Sequence, residues 1–330
     1  MRRGVLMAAV LALGLASSDA GAEAPKSLEV ISFPGGFNWP LWAAQEQGFF
    51  ARNGLEIHLT PTPGSVYLMT NLIDGKFDIG VFGLDNLVAY NEGQGEAPTK
   101  EKSDLFAFMG GDNGFLHLVT LPELKSFQDL KGKELSVDAR TTGYAFVLEK
   151  LLEKGGLGPN DYSLVKAGGA LERFEAMMER KHAGTLMLSP FDIAATAKGY
   201  NDLSAAIDVL GHYQGAVSAT RRQWAAEHRA EMVGYIKAYL AGLDWLFDTA
   251  NKQAAIAVLR KNLPKMVPEL AEKTYAVLLD PARGFARKAE IDVEGIKTIL
   301  ALRSEYGEPK KALTDPARYY DLSYYKQALN

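Results

Sequence analysis

The sequence of 330 residues contains no cysteine. This absence excludes disulfides, thiolate nucleophiles, iron–sulfur clusters, cysteine-ligated zinc and a lipid attached through an N-terminal cysteine. Histidine is scarce as well: the chain has five, and no two of them have the i, i+4 spacing of a helical zinc site. The sequence therefore predicts neither a metal site nor another cofactor.

Neither sign of charge dominates the chain. It has 36 Lys and Arg against 40 Asp and Glu, a formal net charge of −4, and no extended block of basic residues. Nucleic-acid binders carry a concentrated basic patch, so we expect no nucleic-acid partner. The composition, 47% hydrophobic and 23% charged, is that of a globular protein, and the length predicts about two domains.

Long hydrophobic runs are missing beyond the N-terminus. There, Arg2 and Arg3 precede an apolar stretch from Gly4 to Ala16, and Ala20-Gly21-Ala22 offers the small residues of a cleavage site. As a helix this stretch would span only about 20 Å, against about 30 Å for the hydrocarbon core of a bilayer. We interpret residues 1–22 as a signal peptide cleaved after Ala22, which predicts a periplasmic protein.

Strand-like and helix-like segments alternate through the rest of the chain, which indicates an α/β fold. Leu28 to Phe33 favours a strand, and a helix is predicted from Pro40 to the Asn53-Gly54 stop. The same order of strands and helices recurs between Leu135 and Pro190, and from Arg221 onward the pattern is almost wholly helical. The chain thus supplies several turns that lead from a strand into a helix.

These turns carry side chains suited to a ligand. In open α/β sheets, ligands bind beyond the carboxyl ends of the strands, where backbone amides and helix N-termini point outward. The first turn carries two aromatic rings and an amide, at Phe37 to Trp39. A later turn carries a guanidinium and two hydroxyls, at Arg140 to Thr142. The candidates are Phe37, Asn38, Trp39, Ser65, Asp85, Asn86, Arg140, Thr141, Thr142, Gly143, Tyr144 and, near the expected return crossing between lobes, Tyr213.

No catalytic signature accompanies the candidate turns. The sequence has no G-x-S-x-G elbow, no P-loop and no G-x-G-x-x-G after a strand. A pair of catalytic carboxylates follows no spacing rule in a sequence, so that alternative stays open. A hydrolase that uses Asp85 with His117 or His212 also stays open. We do not predict an enzyme.

A series of short motifs runs through the chain in a distinctive order. It comprises Pro40-Leu41-Trp42-Ala43-Ala44-Gln45-Glu46-Gln47-Gly48-Phe49-Phe50, Asn53-Gly54-Leu55, Gly64-Ser65, Leu72 to Gly80, Phe127 to Lys133 and Trp224-Ala225. In order and spacing these motifs resemble the nitrate/sulfonate/taurine/thiamine-precursor family of periplasmic substrate-binding proteins. The resemblance extends over most of the chain.

The resemblance implies a two-lobed type II periplasmic binding protein fold, in which each lobe is a mixed sheet flanked by helices and a helical extension follows. It implies residues 23–119 and 214–330 for lobe I and 120–213 for lobe II. It also implies a monomer that closes over a small molecule and delivers it to the inner-membrane permease and ATPase of an ABC importer. Carried over by position, the family's ligand-contacting turns add Ser189 and Phe191 to the candidates.

The candidate residues favour an aromatic or heteroaromatic ligand. Stacking faces are offered by Phe37, Trp39, Tyr144 and Phe191. Among the candidate turns only Arg140 is basic, which disfavours a strongly charged anion such as nitrate or a sulfonate. We expect a pyrimidine-type thiamine precursor or an aromatic carboxylate whose acid group meets Arg140.

Two alternatives belong to other functional classes. An exported sensor or adaptor of the same fold would bind a ligand but signal to a protein partner. The fold also resembles a fungal thiamine-pyrimidine synthase. That enzyme family relies on a cysteine-rich segment and iron, which a chain without cysteine cannot supply.

Overall fold

The computed structural model of the protein describes residues 24–330. The signal peptide expected over residues 1–22 lies outside the described residues. Within the described part, ten β-strands alternate with helices along most of the chain. The strands are β1 (Lys26–Ser32), β2 (Leu55–Pro61), β3 (Ile79–Gly83), β4 (Leu105–Gly110), β5 (Leu116–Thr120), β6 (Lys133–Val137), β7 (Tyr162–Lys166), β8 (Gly184–Leu188), β9 (Asn201–Ala205) and β10 (Ala216–Arg221).

Fourteen α-helices accompany the strands within residues 24–330. Over the same residues, no helix has the length and apolar character needed to cross a membrane. The helices are α1 (Trp39–Glu46), α2 (Phe49–Arg52), α3 (Ser65–Ile73), α4 (Leu84–Asn91), α5 (Gly143–Lys154), α6 (Ala170–Met178), α7 (Phe191–Thr196), α8 (Ala206–Leu210), α9 (Arg222–Glu227), α10 (Arg229–Phe247), α11 (Lys252–Asn262), α12 (Pro268–Leu278), α13 (Val293–Tyr306) and α14 (Ser323–Leu329).

The strands form two five-stranded mixed sheets, with the orders β2-β1-β3-β10-β4 and β7-β6-β8-β5-β9. In the first sheet β1 is parallel to β2 and β3, whereas β10 is antiparallel to β3 and β4. The second sheet repeats this pattern: β6 is parallel to β7 and β8, and β5 is antiparallel to β8 and β9. In each sheet the antiparallel strand, which is fourth in the order, is the first strand after the chain crosses from the other sheet.

The first sheet is buried on both faces. In β1, the neighbouring residues Val30 and Ile31 are both fully buried, although successive side chains of a strand point to opposite faces. Helix α3 contacts β1, β3 and β10, and α10 contacts β2. A strand covered on both faces favours apolar residues at successive positions, as at Val30 and Ile31, whereas Glu29 before them is exposed.

The helix predicted from Pro40 to Asn53 is two helices. Helix α1 ends at Glu46, and Gly48 has a left-handed conformation (φ 69°) before α2 begins at Phe49. Because glycine alone adopts such a φ without strain, Gly48 lets the chain turn where the apolar pattern predicted continuity.

Two chain segments join the sheets. The chain leaves the first sheet after Gly110 and enters the second at Leu116, and it returns between α8 and β10 over residues 211–215. Strand β5 therefore lies wholly in the second sheet, whereas a lobe boundary at Val119 would cut it. The residue ranges given to the two lobes in the sequence analysis stay a prediction. Below, the first lobe means the first sheet with α1–α4 and α9–α14, and the second lobe means the second sheet with α5–α8.

The C-terminal helices pack mainly against the first lobe. Helix α10 lies against α1, α2 and α14, and α11 lies against α1. Two of these helices also reach the second lobe, since α13 contacts α5 and α12 contacts α7. The helical C-terminal extension is thus placed to take part in contacts between the lobes.

A buried carboxylate links the two crossing segments. Asp112 Oδ1 accepts the backbone N–H groups of Gly114 (2.7 Å) and of Ala216, the first residue of β10 after the return segment (3.0 Å). The carbonyl oxygen of Asp112 accepts the N–H of Gly215 at 2.8 Å. Within the described residues its Oδ2 has no partner. Burial raises the pKa of the Asp112 carboxyl to about 6, because two backbone donors do not offset the loss of water.

We predict that Asp112→Asn becomes more stable relative to the parent protein as the pH rises from about 4 to about 7. The unfolded carboxyl, with a pKa near 3.9, ionises in this range before the folded one does. The parent protein therefore loses about 3 kcal/mol of unfolding free energy through this group, whereas the amide keeps the accepted hydrogen bonds and buries no charge. Urea unfolding of both proteins at about pH 4 and about pH 7.5 measures the effect. The same stability difference at both pH values would contradict the prediction.

Candidate ligand-binding cleft

A cleft lies where the carboxyl ends of parallel strands from the two sheets face each other. Its walls come from the residues that follow β1, β3 and β6 and from the first turns of α4, α5 and α6. The first lobe contributes Phe33, Phe37, Phe82, Gly83, Asp85, Asn86 and Ala216, and the second contributes Asp138, Thr142, Gly143, Tyr144, Ala170, Arg173 and Leu188.

The lobes are in close contact around this cleft. The free space between its walls is about 40 Å³, which holds only a few water molecules. At one side the backbone N–H of Ser65 donates to Asp138 Oδ2 at 2.9 Å, and the N–H of Gly169 donates to the carbonyl of Pro63 at 2.9 Å. Both hydrogen bonds join one lobe to the other, so this arrangement is a closed one.

Aromatic rings form much of the wall. Phe33, Phe37 and Phe82 face the cleft from the first lobe, and Tyr144 faces it from the second. The Tyr144 hydroxyl reaches across to the first lobe, since a Cβ placed on Gly83 would lie 3.1 Å from that oxygen. Burial raises the pKa of the Tyr144 phenol, so the hydroxyl stays protonated and can donate a hydrogen bond.

Arg173, on α6, places a buried cation in the wall. The residue is only 4% exposed. Its Nε donates to Thr185 Oγ1 at 3.0 Å, its Nη1 to the carbonyl of Gly168 at 2.7 Å, and its Nη2 to the carbonyl of Leu186 at 3.3 Å. All three acceptors are uncharged. A guanidinium has five N–H donors, so two remain for a ligand.

Arg173 is not neutralised by an ion pair with any carboxylate of residues 24–330. Asp138 lies on the same wall, but one of its oxygens accepts the N–H of Ser65 instead. Burial lowers the pKa of the Arg173 guanidinium, and the charge of Asp138 opposes that effect from a distance. The cleft wall therefore holds a desolvated positive charge that an anion can neutralise.

Asp85 has a partner within the protein. Both of its oxygens accept hydrogen bonds from Arg303 of α13, at 2.7 Å from Nε and 2.7 Å from Nη2. Arg303 is fully buried. Asp85, a candidate ligand contact from the sequence, is thus already engaged by this ion pair.

The cleft gathers six of the residues predicted from the sequence. They are Phe37, Asp85, Asn86, Thr142, Gly143 and Tyr144. Asn86 is half-buried and brings an amide to the wall. Thr142 is turned to its own loop, where its hydroxyl donates to the carbonyl of Ala139 at 2.8 Å.

Three candidates of the first lobe lie outside the wall. Asn38 is buried under the turn: its amide donates to the carbonyl of Phe33, and its oxygen accepts the Ser32 hydroxyl. Trp39 lies in the core, where its Nε1 donates to the carbonyl of Ala255 at 3.1 Å. Ser65 is buried and contributes its backbone N–H to Asp138. The side-chain polar groups of Asn38 and Trp39 are thus satisfied within the protein.

The other candidates are also turned away from the cleft. Arg140 is exposed, and its Nη2 donates to the carbonyl of Leu164 at 2.6 Å. The Thr141 hydroxyl donates to Glu96 Oε2 at 2.9 Å. Ser189 and Phe191 are buried, and Tyr213 is buried beneath Tyr144, with the ring centroids 6.2 Å apart. Tyr213 therefore supports the aromatic wall from behind.

Sequence reasoning missed both arginines that matter here. Arg173 follows the Gly168-Gly169 turn, and a glycine pair between a strand and a helix is the signal that could have identified it. Arg303 is 218 residues from Asp85 along the chain, and no local pattern marks it. Phe33, Gly83 and Asp138 lie within four residues of the sequence candidates Phe37, Asp85 and Arg140 respectively.

The histidines do not pair with Asp85. His117 Nδ1 lies 2.7 Å from Asp202 Oδ2, and His212 Nδ1 lies 2.9 Å from Asp292 Oδ2. The hydrolase alternative required one of these histidines beside Asp85, which Arg303 contacts instead. That arrangement is not formed.

A known protein family matches most of the chain. The model of the family described as NMT1/THI5 like matches residues 38–252, a range that includes every cleft residue except Phe33 and Phe37. The chain belongs to the NMT1/THI5-like family. Among curated proteins, no sequence matches this chain.

Solved structures similar to this NMT1/THI5-like chain share its fold at low sequence identity. The alkanesulfonate-binding protein SsuA of Xanthomonas axonopodis has a TM-score of 0.70 at 18% identity and covers 89% of this chain and 96% of its own. The periplasmic nitrate-binding protein NrtA of Synechocystis has a TM-score of 0.74 at 12% identity, with 92% and 88% covered.

A third structure names the fold. A Candida albicans protein described as exhibiting the generic periplasmic binding protein structural fold has a TM-score of 0.64 at 15% identity, with 84% of this chain and 90% of its own covered. The two mixed sheets, the flanking helices and the C-terminal helices are this fold. The fold expected from the sequence is confirmed.

We predict that Trp39→Phe lowers stability without changing the cleft. The substitution keeps a buried ring but removes the indole N–H that donates to the carbonyl of Ala255. That carbonyl keeps its hydrogen bond within α11, so the loss of the indole hydrogen bond costs about 0.5–1.5 kcal/mol of unfolding free energy. Urea unfolding measures the loss. An unfolding free energy equal to that of the parent protein would show that this hydrogen bond contributes nothing.

Proposed function

We propose that the protein is an exported solute-binding protein that encloses a small aromatic or heteroaromatic acid between its lobes and delivers it to an ABC importer. The observation that carries the proposal is Arg173: a buried guanidinium with neutral partners, in a wall of aromatic rings. Membership of the NMT1/THI5-like family and likeness in fold to nitrate- and sulfonate-binding proteins support a binding role.

In this proposal the acid group of the ligand meets Arg173 rather than Arg140, the residue expected from the sequence. A ligand carboxylate at the two remaining N–H groups of Arg173 would form charge-assisted hydrogen bonds and remove the cost of an unneutralised buried cation. The ring of the ligand would then lie between the phenylalanines of the first lobe and Tyr144. Asn86 supplies a polar group for a ring nitrogen or oxygen.

The proposed ligand enters an arrangement wider than the closed one. A cavity of about 150 Å³ is needed to hold benzene, whereas the closed cleft leaves about 40 Å³. The lobes must therefore separate for a ring to enter, and side chains of the wall must shift to leave room for it when the lobes close again. Because both lobes contribute to the wall, the ligand favours the state in which both touch it.

A thermal-shift screen identifies the ligand. The panel contains benzoate-type and pyrimidine carboxylates, their amides, neutral pyrimidines, alkanesulfonates, nitrate and acetate. At about 100 times its dissociation constant, a ligand stabilises the folded state by about 2.7 kcal/mol, a shift of a few degrees. Shifts from nitrate, acetate or sulfonates alone would overturn the aromatic part of the proposal. Loss of uptake of the labelled ligand in cells lacking the gene tests delivery, and undiminished uptake would favour a sensor.

We predict that Arg173→Gln lowers affinity for the aromatic acid about 10- to 100-fold, the range expected for a lost hydrogen bond to a charged group. The affinity for the corresponding amide should change much less, because the amide carries no charge. Calorimetric titration of both ligands into both proteins measures the coupling. Arg140→Gln is the matched control and should leave both affinities unchanged. An equal loss for acid and amide in Arg173→Gln would argue against charge recognition by Arg173.

Export is tested separately. We predict that the protein recovered from the periplasm of a bacterial host begins at Glu23, because the small residues Ala20-Gly21-Ala22 precede that position. Mass spectrometry of the intact protein gives the N-terminus. Recovery of the full chain in the membrane fraction would contradict cleavage.

A further inference from the structure

Arg303 lies where three parts of the chain meet. It is on α13 of the C-terminal extension, it is fully buried, and it forms a bidentate ion pair with Asp85 in the first turn of α4. Its Nη1 also donates to Gln94 Oε1 at 3.2 Å. All three residues belong to the first lobe, so the ion pair is assembled without any help from the second lobe.

The same guanidinium also contacts the second lobe. Arg303 Nη2 donates to the carbonyl oxygen of Thr141, in the turn that precedes α5. The guanidinium carbon lies 5.0 Å from the centroid of the Phe146 ring, on the buried face of α5. A carbonyl and an aromatic face are both favourable neighbours of a cation. The second lobe thus presents two groups to a charge that the first lobe holds in place.

The carboxylate of the pair contacts the same turn. A Cβ built on Gly143, the first residue of α5, would lie 2.2 Å from Asp85 Cγ and 2.6 Å from Asp85 Oδ1. Gly143 does not have a left-handed φ, so glycine is required here by the close approach and not by the backbone conformation. Asp85 cannot swing aside, because two hydrogen bonds from Arg303 fix it.

We propose that the Asp85–Arg303 pair is a closure clasp: the second lobe docks its Thr141–Gly143 turn and Phe146 ring on the pair when the cleft closes. The clasp stabilises a closed population even without ligand, and Arg303 acts as a positioning residue that never touches the ligand. The inference uses the proposed function only in that the ligand is enclosed by the two lobes. Lysine could not replace Arg303, since one ammonium cannot hold both carboxylate oxygens and the carbonyl in this planar geometry.

A neighbouring contact between the lobes serves as the comparison. Glu305, on the same helix, accepts a hydrogen bond from Lys150 of α5 at 2.8 Å, but its side chain is 48% exposed. Exposed ion pairs contribute little to stability. Both contacts join α13 to α5 or to the turn before it, but the clasp is buried and also includes Asp85 of α4. Glu305→Gln therefore tests whether an exposed contact between the same two helices affects closure.

The experiment measures the distance between the lobes. The chain has no cysteine, so Lys102→Cys in the first lobe and Lys131→Cys in the second can each carry one spin label, and both positions are exposed. Double electron–electron resonance without ligand then gives the populations of closed and open states. Gly143→Ala blocks docking while leaving the Asp85–Arg303 pair intact, and Gly158→Ala, whose added Cβ meets only Asp161 at 3.7 Å, is the matched control.

We expect Gly143→Ala to lower the ratio of closed to open molecules at least tenfold, with Gly158→Ala and Glu305→Gln close to the parent protein. Arg303→Lys should act in the same direction, and its thermal unfolding shows whether it still folds. If Arg303→Lys does not fold, the Gly143→Ala variant alone tests the clasp. A parent protein that is wholly open, or a Gly143→Ala distribution equal to the parent's, would overturn the clasp. The distances are measured without ligand, so a ligand screen that finds nothing does not affect the test of the clasp. A negative distance result likewise does not affect the test of the proposed function.

Discussion

The ion pair between Asp85 and Arg303 is the interaction on which the arrangement of the cleft depends. It joins the first turn after β3 to a helix 218 residues further along the chain, and it lies directly beneath the surface that the second lobe covers. A buried ion pair is tolerated only when both partners are present and their remaining hydrogen-bonding groups are satisfied. Besides the two hydrogen bonds to Asp85, Arg303 donates to Gln94 Oε1 in the first lobe and to the carbonyl oxygen of Thr141 in the second.

The two buried arginines near the cleft differ in whether a carboxylate neutralises them. Arg303 is neutralised by a carboxylate of its own lobe, whereas Arg173 has only a hydroxyl and two carbonyl oxygens. The first is therefore suited to hold protein groups, and the second keeps a charge that a ligand can neutralise. In the proposed function this division explains how an overall acidic protein offers an acid a favourable site.

The lobes meet through side chains that lie over glycines. Tyr144 of the second lobe lies over Gly83 of the first, and Asp85 of the first lies against Gly143 of the second. Each lobe thus contributes one glycine and one side chain that covers the glycine of the other lobe. Gly83 and Asp85 are two residues apart in the first lobe, and Gly143 and Tyr144 are adjacent in the second. A Cβ at Gly143 would lie 2.2 Å from Asp85 Cγ and would separate surfaces that are now in contact, whereas a Cβ at Gly83 would press on the Tyr144 hydroxyl at 3.1 Å. The backbone at Gly143 therefore sets how closely the lobes approach there.

The sequence by itself determined the α/β class, the alternation of strands and helices and the turns around which the cleft forms. These follow from local rules: apolar periodicity, helix caps and glycine stops act over a few residues, so they can be read from a single chain. Six predicted residues line the cleft for this reason. Only the tertiary structure decided that Trp39 is core, that Arg140 faces outward, that Arg173 faces the cleft and that Arg303 contacts Asp85. Which way a side chain points, and which distant group it meets, depends on how the lobes and the C-terminal helices pack, and that packing is set by contacts between residues far apart in the sequence.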